Sequence, residues 1–129
     1  MNPDQKFQQA IHAEIVWKNP EVQNFAVALV KHALALNGQN FTTDIVPDTE
    51  RGTGTGIAGT VIELLKNANL VKPIGVTQGG VFYAHRMKST RGSRNAGWLN
   101  VYSLTSQTLA EEFLRRNGKM ILQAELSLA

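Results

Sequence analysis

Arg86, Lys88, Arg91 and Arg94 stand close together in the chain, with Ser89, Thr90, Ser93 and Asn95 among them. Guanidinium and ammonium groups neutralise phosphate oxygens, and hydroxyls and amides add hydrogen bonds. The set is therefore suited to following a phosphate backbone or to placing one arginine in a narrow groove. A solvated loop of chance basicity is the alternative. Charge placement favours the first, because from Leu64 to Ala110 there is no acidic residue, while Lys66, Lys72, Arg86, Lys88, Arg91 and Arg94 give that window a charge of +6. The whole chain carries only +3, from 13 Lys and Arg against 10 Asp and Glu, so the remainder is net acidic. A basic segment on an acidic body has the distribution of a polyanion-binding surface.

A second set of hydrogen-bonding and small residues, Thr53, Thr55, Gly56, Gly59 and Thr60, precedes Lys66. At the start of a helix such hydroxyls reach base edges or phosphates, Gly59 allows close approach of the backbone, and the helix's own amides favour an anion. Glu63 and Ile62 on the same face argue for an ordinary solvated or protein-contacting surface instead. Phe82, Tyr83, Trp98 and Tyr102 are compatible with stacking on single-stranded bases, but adjacent strand residues point to opposite faces, so a core role is expected for them.

Other chemistry is excluded more firmly. The absence of cysteine removes disulfides, thiolate metal sites and cysteine nucleophiles, and His12, His32 and His85 fall on separate segments. Gly54-Thr55-Gly56-Ile57-Ala58-Gly59 matches a dinucleotide-binding glycine pattern, yet Pro47 to Arg51 before it is no strand and no acid follows at the required distance. No serine or threonine sits in a nucleophile elbow or beside an identifiable base. Neither enzymatic activity nor any cofactor or metal is expected. At 129 residues, 43% apolar and 18% charged, the chain has the balance of one ordinary globular domain, without a run long enough to span a membrane. It opens polar, with no basic region leading into an apolar stretch, so a cytoplasmic location is expected.

These residues need elements to position them. Phe7, Ile11 and Ile15 recur at helical spacing and predict a helix over Asp4 to Lys18. Asn19-Pro20-Glu21 reads as cap, first helical residue and dipole partner of a second helix, whose apolar stripe runs from Val22 to Leu36 and whose stop is Asn37-Gly38. Phe41 suits a very short strand, Thr42 or Thr43 caps a short helical piece to Val46, and Asp48 to Thr55 is a loop. Gly56 to Asn69 predicts a helix with Ile57, Val61, Leu64, Leu65 and Ala68 inward and Thr55, Gly59, Ile62, Glu63 and Lys66 on the opposite face. One long strand is expected within Val81 to Lys88, paired antiparallel with Gly97 to Leu104 across the polar loop Ser89 to Ala96, with Lys72 to Thr77 adding some pairing. Thr105 or Ser106 caps a last helix to Arg116, with Gly118 as its stop and a tail to Ala129 that either continues as helix or lies on a partner.

The order helix, short helix, helix, basic β-hairpin, helix, carried by Thr42 to Val46, Gly56 to Leu70 and Val81 to Leu104, resembles the winged helix-turn-helix, including small winged-helix domains of phages and other mobile elements. The resemblance implies an α+β fold with a three-helix core and a β-hairpin wing over residues 20–104, an N-terminal helical extension over 1–19, and a C-terminal helix and tail over 105–129. It implies binding to double-stranded DNA, as a transcriptional regulator or replication accessory, with Gly56 to Asn69 in the major groove and Arg86 to Asn95 on the backbone or minor groove. A homodimer through the terminal helices is expected, with Met120, Ile121, Leu122 and Leu126 as contact residues. The alternatives are a winged-helix module that docks an acidic protein through Gly59, Ile62 and the wing, and an RNA-binding domain.

Overall fold

A computed structural model describes residues 14–52, 56–91 and 97–128, the side chains of 118–128 excepted. The first long helix, α1 (Pro20–Ala35), begins where the Asn19 side chain accepts from the Glu21 amide at 2.9 Å and Pro20 supplies a preset φ. It ends where Asn37 and Gly38 turn left-handed, with φ of 53° and 87°. Val22, Phe25, Ala26, Leu29, Val30 and Ala33 are fully buried along it, and the helices Ile57–Asn67 and Gln107–Leu128 both pack against it. α1 is the spine of the core. Before it, residues 14–17 are helical, and Val16 and Trp17 pack on the core, Trp17 meeting Phe113 edge-on at 6.0 Å between ring centroids. Of the apolar stripe that predicts this helix, Ile15 is exposed; Phe7 and Ile11 lie outside the described residues.

α2 (Ile57–Asn67) starts at Gly56, left-handed with φ 74°. Val61, Ile62 and Leu65 are buried and Ile57 and Leu64 are half-buried against the core, so the predicted face is inward and widened by Ile62, but Ala68, expected on it, is exposed. The cause is the way the helix stops. Asn69 turns left-handed at φ 59°, its amide bonds the Lys66 carbonyl at 3.0 Å, and the Leu70 amide bonds the Leu65 carbonyl at 2.9 Å. This closing motif folds buried Leu70 back beside Leu65, taking the place expected of Ala68. Between the two helices, Thr42 caps a single 3₁₀ turn, Thr43–Ile45, and a second 3₁₀ turn spans Asp48–Glu50.

α3 (Gln107–Leu128) is capped by the Ser106 hydroxyl, which accepts from the Leu109 amide at 3.3 Å, and it buries Ala110 and Phe113. Gly118 does not stop it. Glycine terminates a helix when it adopts a left-handed turn; in a right-handed backbone it costs only about 1 kcal/mol against alanine, and the helix runs on to Leu128. The side chains of Met120, Ile121, Leu122 and Leu126 lie outside those described. Among the described residues no helix is long and apolar enough to cross a membrane.

The expected antiparallel pairing of Val81 to Lys88 with Gly97 to Leu104 holds over only part of each stretch, and three antiparallel pairs form in all. β1 (Val71–Pro73) pairs with β6 (Tyr102–Leu104), β2 (Gly75–Gln78) with β3 (Val81–Ala84), and β4 (Arg86–Lys88) with β5 (Trp98–Asn100). The stretches 71–78, 81–88 and 98–104 thus each change partner midway, at Ile74, His85 and Val101. There the backbone closes a ring of three hydrogen bonds: Ile74 donates to Val101 at 2.9 Å, Val101 to His85 at 3.0 Å, and His85 to Ile74 at 2.8 Å. Every backbone group freed by the change of partner at these points is taken by one of the other two strands. Three two-stranded arms leave this ring. The β1/β6 arm lies on the core, with Val71 buried, and Phe41 extends it by exchanging two backbone bonds with Tyr102 at 2.9 and 2.7 Å. The β2/β3 arm ends in Gly79-Gly80, both at positive φ as a two-residue hairpin turn requires, and carries no charged residue. Gly75 is required at its base, because a Cβ there would lie 2.2 Å from the Tyr83 carbonyl oxygen. The architecture is α+β, with three helices among the described elements and small antiparallel strand pairs.

Candidate nucleic-acid interface

The β4/β5 arm holds Arg86 and Lys88. In its register Arg86 faces Asn100, Met87 faces Leu99, and Lys88 faces Trp98. Directly opposed residues share a face, as do residues two apart on one strand, so Arg86, Lys88, Trp98 and Asn100 occupy one side of the arm and Met87 and Leu99 the other. All four are exposed, Trp98 at 64%. The face therefore joins two cations, an amide and an indole with no carboxylate among them.

The indole corrects the expectation of a core role, and Phe82 and Tyr83 on the β2/β3 arm are likewise about half exposed. Only Tyr102 takes the expected place, tilted against Phe41 at 6.5 Å and packed on the core. The strands are short and change partners at the ring, so the outer two arms project beyond the sheet-on-helix contact that would have covered them. Trp98 was open to view in the sequence, two residues from Asn100 as Arg86 is two from Lys88; what was missing was the pairing that aligns them.

The root of the following loop is pinned to the 3₁₀ segment by a polar hub. Asp44 Oδ2 accepts from the Thr90 amide at 2.8 Å, from Ser89 Oγ at 2.9 Å and from Thr90 Oγ1 at 3.4 Å. Arg91 donates through Nε and Nη2 to Asp48 Oδ1 at 3.0 and 2.9 Å. On the inner side, Arg51 donates through Nε to the Val46 carbonyl at 2.8 Å and through Nη2 to the Thr43 carbonyl, lies 3.8 Å from Asp44 Oδ1, and places its guanidinium 5.4 Å from the centre of the Phe25 ring. The Arg51 and Asp44 side chains are 7% and 10% exposed. Burial pushes the Asp44 carboxyl up, but the Thr90 amide, the Ser89 hydroxyl and the Arg51 charge together outweigh it and hold the group below its ordinary 3.8.

The bases predicted as one set therefore divide. Arg86 and Lys88 stand on the exposed face of the arm. Arg91 is half-buried and donates twice to Asp48 Oδ1, so its charge is already matched. The sequence window shows no acid near these bases because Asp44 and Asp48 arrive from the other side of α2. Arg94 and Asn95 lie outside the described residues, as do Thr53 and Thr55. On α2, Gly59 is exposed with open space about it, Thr60 is half-buried, and Lys66 pairs with Glu63 at 3.3 Å on the helix surface. Ile62, expected on this outer face, is in the core.

Among the described residues there is no group of side chains able to hold a metal ion. Comparison with known protein families, curated proteins and solved structures finds no match for this chain.

Proposed function

We propose that this chain binds double-stranded DNA as a winged helix-turn-helix protein, a transcriptional regulator or replication accessory. The observation that carries the reading is the exposed β4/β5 face, where Arg86 and Lys88 meet no carboxylate among the described residues, on an arm whose end at Ser89 to Arg91 is braced to the helical core through Asp44 and Asp48. A braced basic hairpin meets phosphates with little ordering cost on binding. The element order supports it further: α1, the Thr43–Ile45 turn, α2, the strand pairs and α3 follow the sequence of a winged domain, with the middle helix shortened to a 3₁₀ turn. Exposed Gly59 and half-buried Thr60 give α2 an outer side on which small and hydroxyl-bearing residues face a groove. The competing reading, a docking surface for an acidic protein, loses Ile62 as its apolar anchor.

The test is a titration of mixed-sequence duplex at several salt concentrations, followed by fluorescence anisotropy. Binding weakens steeply with salt, and Arg86→Ala with Lys88→Ala lowers affinity for all duplexes alike while reducing the slope of log affinity against log salt by about 2, one unit or slightly less per phosphate contact. A chain that binds no duplex at low salt, or a double variant with an unchanged slope, refutes the assignment.

A further inference from the structure

We infer that Trp98 is a base-stacking residue, and that the DNA this arm prefers contains an unpaired or unstacked base, as at a gap or a melted segment. The inference rests on the DNA-binding reading above and specifies the form of DNA. Trp98 is the most exposed large apolar side chain among the described residues, 64% open to solvent. An indole on a soluble protein's surface has a cost that a merely solvated arm has no need to bear, and its neighbours identify what covers it. Lys88 lies directly across the pair, Arg86 two residues along on the same face, and Asn100 beside it. Opposed side chains start about 5 Å apart, and residues two apart on a strand are separated by about 7 Å, close to the spacing of successive phosphates on an extended strand.

Between its ends a fully stacked duplex offers phosphates to Arg86 and Lys88 but presents no base face to an indole, because each base is covered by its neighbours. A base released from the stack offers both, its ring to Trp98 and its flanking phosphates to the cations, and the Asn100 amide adds donors and an acceptor for a base edge. An apolar protein partner would satisfy Trp98 but leave two cations at the contact unpaired. An acidic partner would satisfy the cations but gain little from the ring. The combination on one face fits a strand that carries negative charge and flat apolar rings in alternation.

The experiment compares three probes of one sequence, a blunt duplex, the same duplex with a short single-stranded gap, and the single strand, against wild type, Trp98→Ala and the Arg86→Ala, Lys88→Ala pair. Trp17→Phe supplies a background in which Trp98 is the only tryptophan. Expected results are tighter binding of the gapped probe than of the blunt duplex, quenching of Trp98 emission by the gapped probe and the single strand alone, and a loss on Trp98→Ala of roughly five- to a hundred-fold for those two probes with blunt-duplex affinity unchanged. Equal losses on all three probes, or unquenched emission with the gapped probe bound, overturn the stacking role and leave duplex binding standing. Failure of every probe to bind overturns the DNA reading itself.

Discussion

Replacing Asp44 with alanine probes how the arm is attached to the core. Its Oδ2 receives two short hydrogen bonds, from Ser89 Oγ and the Thr90 amide, each worth about 1.5 kcal/mol when the acceptor is charged and shielded. Removing one member of a buried ion pair costs about 3 to 5 kcal/mol, and the low end applies because Arg51 keeps the Val46 and Thr43 carbonyls. Both routes give about 3 kcal/mol, which in a domain of this size lowers the melting temperature by about 12 °C. The pH dependence has a definite sign. The folded carboxyl titrates below the unfolded value of 3.8, so its contribution is whole above about pH 5 and is lost as pH falls below 3.8 through the folded value. Urea titrations of wild type and Asp44→Ala at pH 7, 5, 3 and 2 should therefore show a stability gap that is constant between pH 7 and 5 and narrows toward pH 2. A gap under about 1 kcal/mol at pH 7, or one that does not change between pH 5 and 2, refutes the hub as a source of stability.

Other perturbations separate local devices from the interface. Gly75→Ala puts a Cβ against the Tyr83 carbonyl and the Phe82 ring, and destabilises by about 3 kcal/mol in urea unfolding through overpacking against backbone that cannot move aside. Asn19→Ala removes the cap of α1 and costs about 1 kcal/mol by thermal unfolding, with no change in DNA affinity. The Arg86 and Lys88 double substitution, both side chains being exposed, leaves the melting temperature within about 2 °C of wild type while abolishing two phosphate contacts in the salt titration.

The helices were legible because what forms them is local. Asn19-Pro20-Glu21 carries the start of α1 and Asn37-Gly38 its stop, all within reach of one turn. The end of α2 was not, since spacing alone puts Ala68 inward, and only the closing bonds at Asn69 and Leu70 reveal that Leu70 is the residue buried there. Gly118 misleads for a related reason: a glycine marks a helix end only if tertiary contacts or the following residues turn it left-handed. The strand segments were visible as β-branched and aromatic clusters, but their pairing was hidden. A stretch such as 81–88 reads as one strand whether it keeps one partner or exchanges it at His85, and the exchange is decided by Ile74 and Val101, which lie far from it in the chain.

The same distinction governs the interface. Positive charge is counted from a window of sequence, but its neutralisation is not, because the acids that brace the loop lie 43 to 46 residues away. A window without Asp or Glu made Arg91 equivalent to Arg86; the fold makes one a structural tie and leaves the other exposed, with no acidic partner among the described residues. Trp98 follows the reverse course, since an aromatic on a predicted strand is ordinarily assigned to the core, and it is the short length of β5 beyond the Val101 junction that carries the indole out to solvent beside Lys88. If the arm served only to anchor a polyanion, an exposed lysine or threonine at that position would do as well and would remove an apolar liability. Keeping an indole there makes sense when the occupant brings a flat ring of its own.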